Sequence, residues 1–169
     1  MATTNHSALS DNRAGVLGRL NAQIGLAVVR LTIGAMFVSV FFENLGKGLY
    51  TPSGYAGLIH GYIQDGSAPD VWKSVMGFVA NHASIAAPLQ AVTEISLGIL
   101  LVLGLFARPV ALLAAGYLAS LWVSEWGTAW IWELLVPVLA TLALAIGGAG
   151  RTWGIDSFLA RKRPASLWW

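Results

Sequence analysis

The chain alternates long apolar stretches with polar segments, and four stretches have the length of a membrane-crossing helix. A hydrocarbon core of about 30 Å takes roughly 20 helical residues. Backbone polar groups in lipid must be bonded within their own segment, so each stretch is predicted to be a helix rather than a strand. The predicted spans cover about residues 24–42, 86–106, 110–126 and 130–148.

The segment between the first two spans, residues 43–85, is too long to be a simple connection. Apolar side chains recur at helical spacing within residues 55–63 and again within 71–79. We therefore expect two short amphipathic helices in this outer loop, lying on the membrane face. The predicted fold class is an all-α integral membrane protein. Its core is an antiparallel four-helix transmembrane bundle, with short amphipathic helices in the first outer loop.

Lysine and arginine are distributed unevenly between the two sides of this topology. The side with both termini is predicted to be cytoplasmic, because the cytoplasmic segments of membrane proteins carry the excess of positive charge. The predicted organisation is a cytoplasmic tail (1–23), a transmembrane domain (24–150) and a basic, tryptophan-rich cytoplasmic tail (151–169). The terminal side carries Arg13, Arg19, Arg108, Arg151, Arg161, Lys162 and Arg163, against Lys47 and Lys73 on the other.

Composition supports a single membrane domain and excludes several kinds of chemistry. Of the 169 residues, 56% are hydrophobic and 11% are charged, against about 25% charged in soluble domains. There is no cysteine, which rules out disulfides, thiolate metal sites and iron–sulfur clusters. Phosphate-loop, dinucleotide and hydrolase motifs are also missing. We therefore predict no catalytic residue and no metal site.

Ionisable residues at membrane depth are the candidates for function, because a charge there costs at least about 2.5–3.5 kcal/mol. Glu94 lies nearest the midplane of the predicted bilayer, and Arg30 lies toward the cytoplasmic end of the first span. The other candidates gather near the outer ends of the spans. We predict a polar ligand-binding pocket that opens outward, with Glu94 at its floor. The candidate ligand-binding residues are Arg30, Glu43, Lys47, Glu94 and Glu133.

Two other interpretations of these charges stay open. Glu94 with Arg30, or Glu43 with Lys47, would neutralise each other and only fix the register of the helices. Alternatively, the charges would contact a partner subunit. These interpretations differ in whether the charges face a cavity, each other, or the outer surface of the bundle.

Several short motifs occur in a characteristic order and at characteristic intervals. They are Arg30-x-x-x-Gly34, Phe42-Glu43-Asn44-Leu45-Gly46-Lys47-Gly48, Tyr50-Thr51-Pro52-Ser53-Gly54-Tyr55, Glu94-x-x-x-Gly98, Gly104-Leu105-Phe106-Ala107-Arg108, Gly148-Ala149-Gly150-Arg151 and Gly154-Ile155-Asp156. On these motifs the chain resembles the DoxX/DoxD family of small four-helix bacterial membrane proteins. The resemblance covers about residues 24–160.

The resemblance implies a multi-pass subunit in the bacterial plasma membrane that is associated with redox metabolism. One branch of the family includes the small subunit of thiosulfate:quinone oxidoreductase. It follows that the chain would act as an enzyme only as a subunit, with no cofactor of its own and a quinone as its candidate ligand. Expected partners are the lipid bilayer and a further subunit or a second copy, but no nucleic acid. The alternatives are a membrane scaffold that anchors soluble proteins through residues 151–169 and, less favoured, a small-molecule transporter.

Overall fold

The structure is a computed structural model that describes residues 4–163, 166 and 168, with side chains from residue 17 onward. All regular structure within these residues is helical, which confirms the all-α fold class. The helices are α1 (Thr4–Gly46), α2 (Pro52–Asp65), α3 (Asp70–Asn81), α4 (Ala83–Leu103), α5 (Ala107–Ser124), α6 (Ile131–Gly147) and α7 (Asp156–Lys162), with a 3-10 turn at Ala149–Arg151.

Among the described residues, three helical segments are long and apolar enough to cross a membrane. They are Leu17–Gly46 within α1, the whole of α4 and the whole of α5. The fourth predicted span corresponds to α6, which is apolar but has only 17 residues. Three membrane-length helices are therefore confirmed, and α6 is a shorter apolar helix.

The helix boundaries differ from the hydropathy pattern where turn geometry determines them. Helix α1 is continuous from Thr4, so residues that were predicted to form a separate tail extend the same helix. Helix α4 ends at Leu103, because Gly104 adopts a left-handed conformation with φ of +62°. A left-handed glycine is the usual end of a helix, and hydropathy carries no sign of it.

The four apolar helices contact one another along their length. Helix α1 packs against α4 and α6, and α5 packs against the same two helices. The backbones of α1 and α4 approach closely where a Cβ on Gly34 would lie 2.8 Å from the backbone nitrogen of Val102. A Cβ on Gly98 would in turn lie 3.0 Å from the nitrogen of Val38. Small residues at such crossings allow helices in lipid to pack tightly.

The two predicted loop helices are confirmed as α2 and α3, which pack together on the first half of α4. Thr51 caps α2 by accepting a hydrogen bond from the backbone N–H of Gly54 at 3.1 Å, and Pro52 occupies the first helical position. At the far end, the N–H of Ser67 donates to the carbonyl of Trp126 at 2.6 Å. The α2–α3 pair is thus tied to the α5–α6 turn and covers one end of the apolar helices.

Candidate functional site

A buried carboxylate lies beneath the α2–α3 pair. Glu94 is 2% exposed, yet four side chains donate hydrogen bonds to it. Oε2 accepts from the Tyr50 hydroxyl and from Asn44 Nδ2 at 3.2 Å. Oε1 accepts from the Tyr117 hydroxyl and from Gln90 Nε2 at 3.2 Å. An ionised carboxylate only accepts hydrogen bonds, so these donors satisfy both of its oxygens and offset part of the cost of burying its charge.

The chain reversal after α1 brings Tyr50 to this carboxylate. Gly48 adopts a φ of +70°, and the N–H of Leu49 returns to the carbonyl of Asn44 at 3.0 Å. The Tyr50 ring stacks on Phe41, with centroids 5.3 Å apart. Burial, and then the hydrogen bond to Glu94, raise the pKa of Tyr50, so this hydroxyl remains a donor.

Further donors come from the neighbouring helices. Gln90 precedes Glu94 by one turn of α4 and also accepts a hydrogen bond from the hydroxyl of Tyr55 at 2.8 Å. Tyr117 projects from α5, and its ring packs against Phe37 with centroids 5.9 Å apart. The network around Glu94 therefore connects α1, α2, α4 and α5.

A cavity of about 520 Å³ begins at this network. We call it the outer cavity, after the side of the membrane to which the sequence pattern assigns it. Its walls come from α1, α2, α4, α5 and α6, and most of the lining side chains are apolar. The polar lining residues are Asn44, Lys47, Tyr62, Gln90, Glu94, Tyr117, Glu125 and Glu133. This volume lies within the range of about 300–1,000 Å³ typical of small-molecule sites, which combine apolar walls with a few polar groups.

Glu125, just after α5, is a second partly buried carboxylate in the lining. Burial raises the pKa of Glu125, the hydrogen bond from the Tyr62 hydroxyl at 2.8 Å opposes this, and the nearby charge of Glu133 adds to the rise. Burial and the same carboxylate raise the pKa of Tyr62. The outer cavity thus contains three carboxylates, one lysine, two amides and two tyrosines beside nine apolar side chains.

The structure brings three of the predicted site residues together and places two elsewhere. Glu94, Lys47 and Glu133 line the outer cavity. Glu43 does not line it, but forms an ion pair with Lys47 at 3.5 Å on the surface, where the two side chains are 68% and 62% exposed. Arg30 lies at the opposite end of the apolar helices, and the Glu94–Arg30 pairing considered from the sequence is therefore wrong.

Arg30 is fully buried against backbone rather than against a carboxylate of the outer cavity. Its Nη2 donates to the carbonyl of Trp153 at 2.9 Å. A Cβ on either Gly104 or Gly154 would collide with its guanidinium group. Gly104 follows Glu94 by about 15 Å along the helix axis. The guanidinium group of Arg30, which lies against Gly104, is therefore too far from the carboxylate of Glu94 to meet it.

Asp156, at the start of α7, completes this second region. It is fully buried, and its carboxylate accepts hydrogen bonds from the backbone N–H groups of Phe106 and Ala107 at 2.8 and 2.7 Å. Burial raises the pKa of Asp156, while these N–H groups and the charges of Arg30 and Arg151 lower it. Asp156 therefore caps the N-terminus of α5 from a distant part of the chain.

Sequence reasoning missed most of the hydrogen-bond partners of Glu94. Asn44 and Tyr50 stand within the motifs that carried the family resemblance, and Gln90 lies one turn before Glu94, so a signal existed for these three. No sequence signal marked Tyr117, because an aromatic residue in an apolar stretch usually belongs to the core. Glu125 follows an apolar stretch, where the hydropathy pattern predicts an exposed outer turn, whereas it is partly buried in the cavity lining.

A family model described as DoxX matches residues 25–126, which is more than half of the chain and includes Arg30, Glu94 and Tyr117. No curated protein matches the chain, and no solved structure does.

Proposed function

The chain belongs to the DoxX family, and from that premise we propose that it is a membrane subunit of a quinone-linked redox complex. The family and the apolar helices indicate a membrane protein. The observation that carries the proposal is the outer cavity, in which apolar walls lead to a carboxylate surrounded by hydrogen-bond donors. A quinone needs both features, because its ring oxygens accept hydrogen bonds and its tail is apolar.

In this proposal α6 is the fourth span, and the four apolar helices form an antiparallel transmembrane bundle. At 1.5 Å per residue α6 is about 26 Å long, somewhat short of a typical hydrocarbon core, and local thinning of the bilayer accommodates such a difference. Exposed Trp130 and Trp132 at its start are suited to the interface. The excess of lysine and arginine on the side of the termini favours a cytoplasmic location for both.

The residues of the outer cavity have distinct roles in the proposal. A bound quinone supplies the capacity to accept two electrons and two protons. The second amide N–H of Asn44 or Gln90 donates to its ring oxygen, because the hydroxyls of Tyr50 and Tyr117 already donate their single protons to Glu94. Glu94 holds or yields a proton beside it. Glu125 and Glu133 exchange protons with the aqueous phase on the outer side. The electrons come from a partner subunit, because this chain has no cysteine for an iron–sulfur cluster.

Quinone binding by the purified protein tests the proposal. The full chain is purified in mild detergent, retained quinone is extracted and quantified, and a short-chain quinone is titrated while tryptophan fluorescence is followed. Glu94→Gln preserves the shape of the side chain but replaces the carboxyl group with an amide. We expect it to weaken binding at least tenfold while the protein still folds. Asp65→Asn, on the exposed end of α2, is the control and should bind like the wild type.

Two results would contradict the proposal. The first is wild-type protein that neither retains nor binds quinone, and the second is an unchanged affinity in Glu94→Gln. If soluble proteins co-purify without quinone, and removing residues 151–169 releases them, the membrane-scaffold function is correct instead.

A further inference from the structure

A second groove lies at the opposite end of the molecule from the outer cavity. It has a volume of about 780 Å³ and runs between the start of α5 and α7. Its lining is formed by Phe106, Pro109, Val110, Leu113, Leu159, Lys162, Arg163 and Trp168. Six of these residues are apolar and two are cationic, so the groove has an apolar floor and one charged end.

The charge around this groove is of one sign. Lys162 and Arg163 stand at the end of α7, directly after Arg161. From residue 134 to the end of the chain the only acidic residue is Asp156. Its carboxylate is fully buried and occupied by the backbone N–H groups of α5. Among the described residues, no acidic side chain forms an ion pair with Lys162.

The apolar floor extends to membrane depth along α5, which is long and apolar enough to span a bilayer. Leu113 lies roughly 9 Å beyond the first residue of α5 at 1.5 Å per residue, and it is 67% exposed. A ligand that fills the groove must therefore reach hydrocarbon at one end and cations near the interface at the other. A soluble acidic peptide satisfies only the second condition, whereas a lipid with an anionic headgroup satisfies both.

We infer that this groove binds an anionic phospholipid, with its phosphate at Lys162 and Arg163 and an acyl chain along Pro109, Val110 and Leu113. The inference does not depend on quinone binding, because the groove and the outer cavity share no lining residue. Cations next to a membrane span attract anionic headgroups. Contact between the acyl chain and the apolar floor then holds the lipid in this groove rather than elsewhere on the surface.

Native mass spectrometry of the full chain in mild detergent tests the inference. The protein is offered phosphatidylglycerol and phosphatidylcholine with identical acyl chains, in equal amounts. We expect phosphatidylglycerol to be retained preferentially. Lys162→Gln should reduce that preference about fivefold, which is the effect of one cation near a charged membrane surface. Arg19→Gln removes an exposed cation from α1, outside the groove, and should leave the preference unchanged.

A matched pair on α5 tests the apolar floor. Leu112 and Leu113 are neighbours and are 60% and 67% exposed, but only Leu113 lines the groove. Leu113→Trp should fill the groove and abolish lipid retention, whereas Leu112→Trp should not.

Four results would overturn the inference. They are equal retention of the two lipids, an equal effect of Arg19→Gln and Lys162→Gln, displacement of the lipid by millimolar inorganic phosphate with no effect of Leu113→Trp, and occupation of the groove by a protein that persists after delipidation.

Discussion

The two ends of the apolar helices bury charge in opposite ways. Glu94 has hydrogen-bond donors on both oxygens and a cavity of about 520 Å³ beside it. Arg30 is enclosed by glycine backbone, and two of its nitrogens, Nε and Nη1, have no hydrogen-bond partner among the described residues. The difference teaches that a buried charge suggests a binding site only where space adjoins it. We therefore expect Arg30 to stabilise the fold and Glu94 to be the candidate for chemistry.

The largest effect on stability is expected at Arg30. Arg30→Gln removes the charged donor to the carbonyl of Trp153 and the favourable charge of Arg30 near the buried carboxylate of Asp156. A hydrogen bond to a charged group contributes about 1.5–3 kcal/mol, and the cavity left by the shorter side chain adds to the loss. The free energy of unfolding, measured by denaturant titration in mixed micelles, should fall by an amount of this order. Quinone affinity per folded molecule should stay unchanged. If Arg30→Gln loses quinone affinity while its free energy of unfolding is unchanged, Arg30 serves binding and the two ends do not differ as proposed.

Gly104 tests the same end without altering a charge. Gly104→Ala puts a methyl group into the guanidinium of Arg30 at a residue with φ of +62°. The left-handed conformation and the overpacking together should cost about 3 kcal/mol. Gly57→Ala is the control, because no atom lies within 4 Å of its added Cβ. It should be neutral or slightly stabilising in the same unfolding measurement, and equal losses in both variants would argue against the tight packing around Arg30.

At the outer end, a smaller effect on stability should accompany a larger one on binding. Tyr117→Phe keeps the ring packed on Phe37 but removes the hydroxyl that donates to Glu94. A hydrogen bond to a charged group contributes about 1.5–3 kcal/mol, and part of it is recovered when Glu94 retains its other donors. We expect a loss near 1.5 kcal/mol in the unfolding titration and at least tenfold weaker quinone binding. Unchanged binding would make the network structural, like the surroundings of Arg30.

The smallest effect concerns the pH dependence of stability. Burial raises the pKa of Glu125 in the folded protein above its ordinary value of 4.5. The folded state then holds the proton more tightly than the unfolded state, so the contribution of this group is greatest at low pH and declines as pH rises through the interval between the two pKa values. Glu125→Gln should flatten that decline in unfolding titrations between about pH 4 and 7. Asp65→Asn should leave the decline unchanged. If stability declines equally with pH in the wild type and in both variants, Glu125 does not contribute to the decline.

Most of the fold could be predicted from the sequence, because apolar length and helical spacing are local properties. Residues 55–63 and 71–79 lie within α2 and α3 as expected. The start of α1 was not predicted, because a helix can continue through polar residues that hydropathy assigns to a tail. The end of α4 depends on the conformation of Gly104, which the apolar pattern does not encode.

The candidate site was only partly predictable, since its partners are distant in sequence. Glu94 stood out because a carboxylate at membrane depth is costly. Tyr117 is separated from it by 23 positions and Tyr50 by 44, and only packing of the helices brings them together. Pairing of Glu94 with Arg30 was one of the interpretations left open by the sequence, and the structure places Arg30 elsewhere. Its neighbours are instead glycines that leave room for a guanidinium group.

The cap on α5 has a consequence for the order in which the protein assembles. The N–H groups of Phe106 and Ala107 donate to the carboxylate of Asp156, which is synthesised 50 and 49 residues after them. The carbonyl that receives Arg30 follows it by 123 residues. A nascent chain that already contains α1, α4, α5 and α6 therefore still lacks these contacts. The segment that follows α6 joins α1 to the start of α5, and a chain truncated before Asp156 would lack the carboxylate that caps α5.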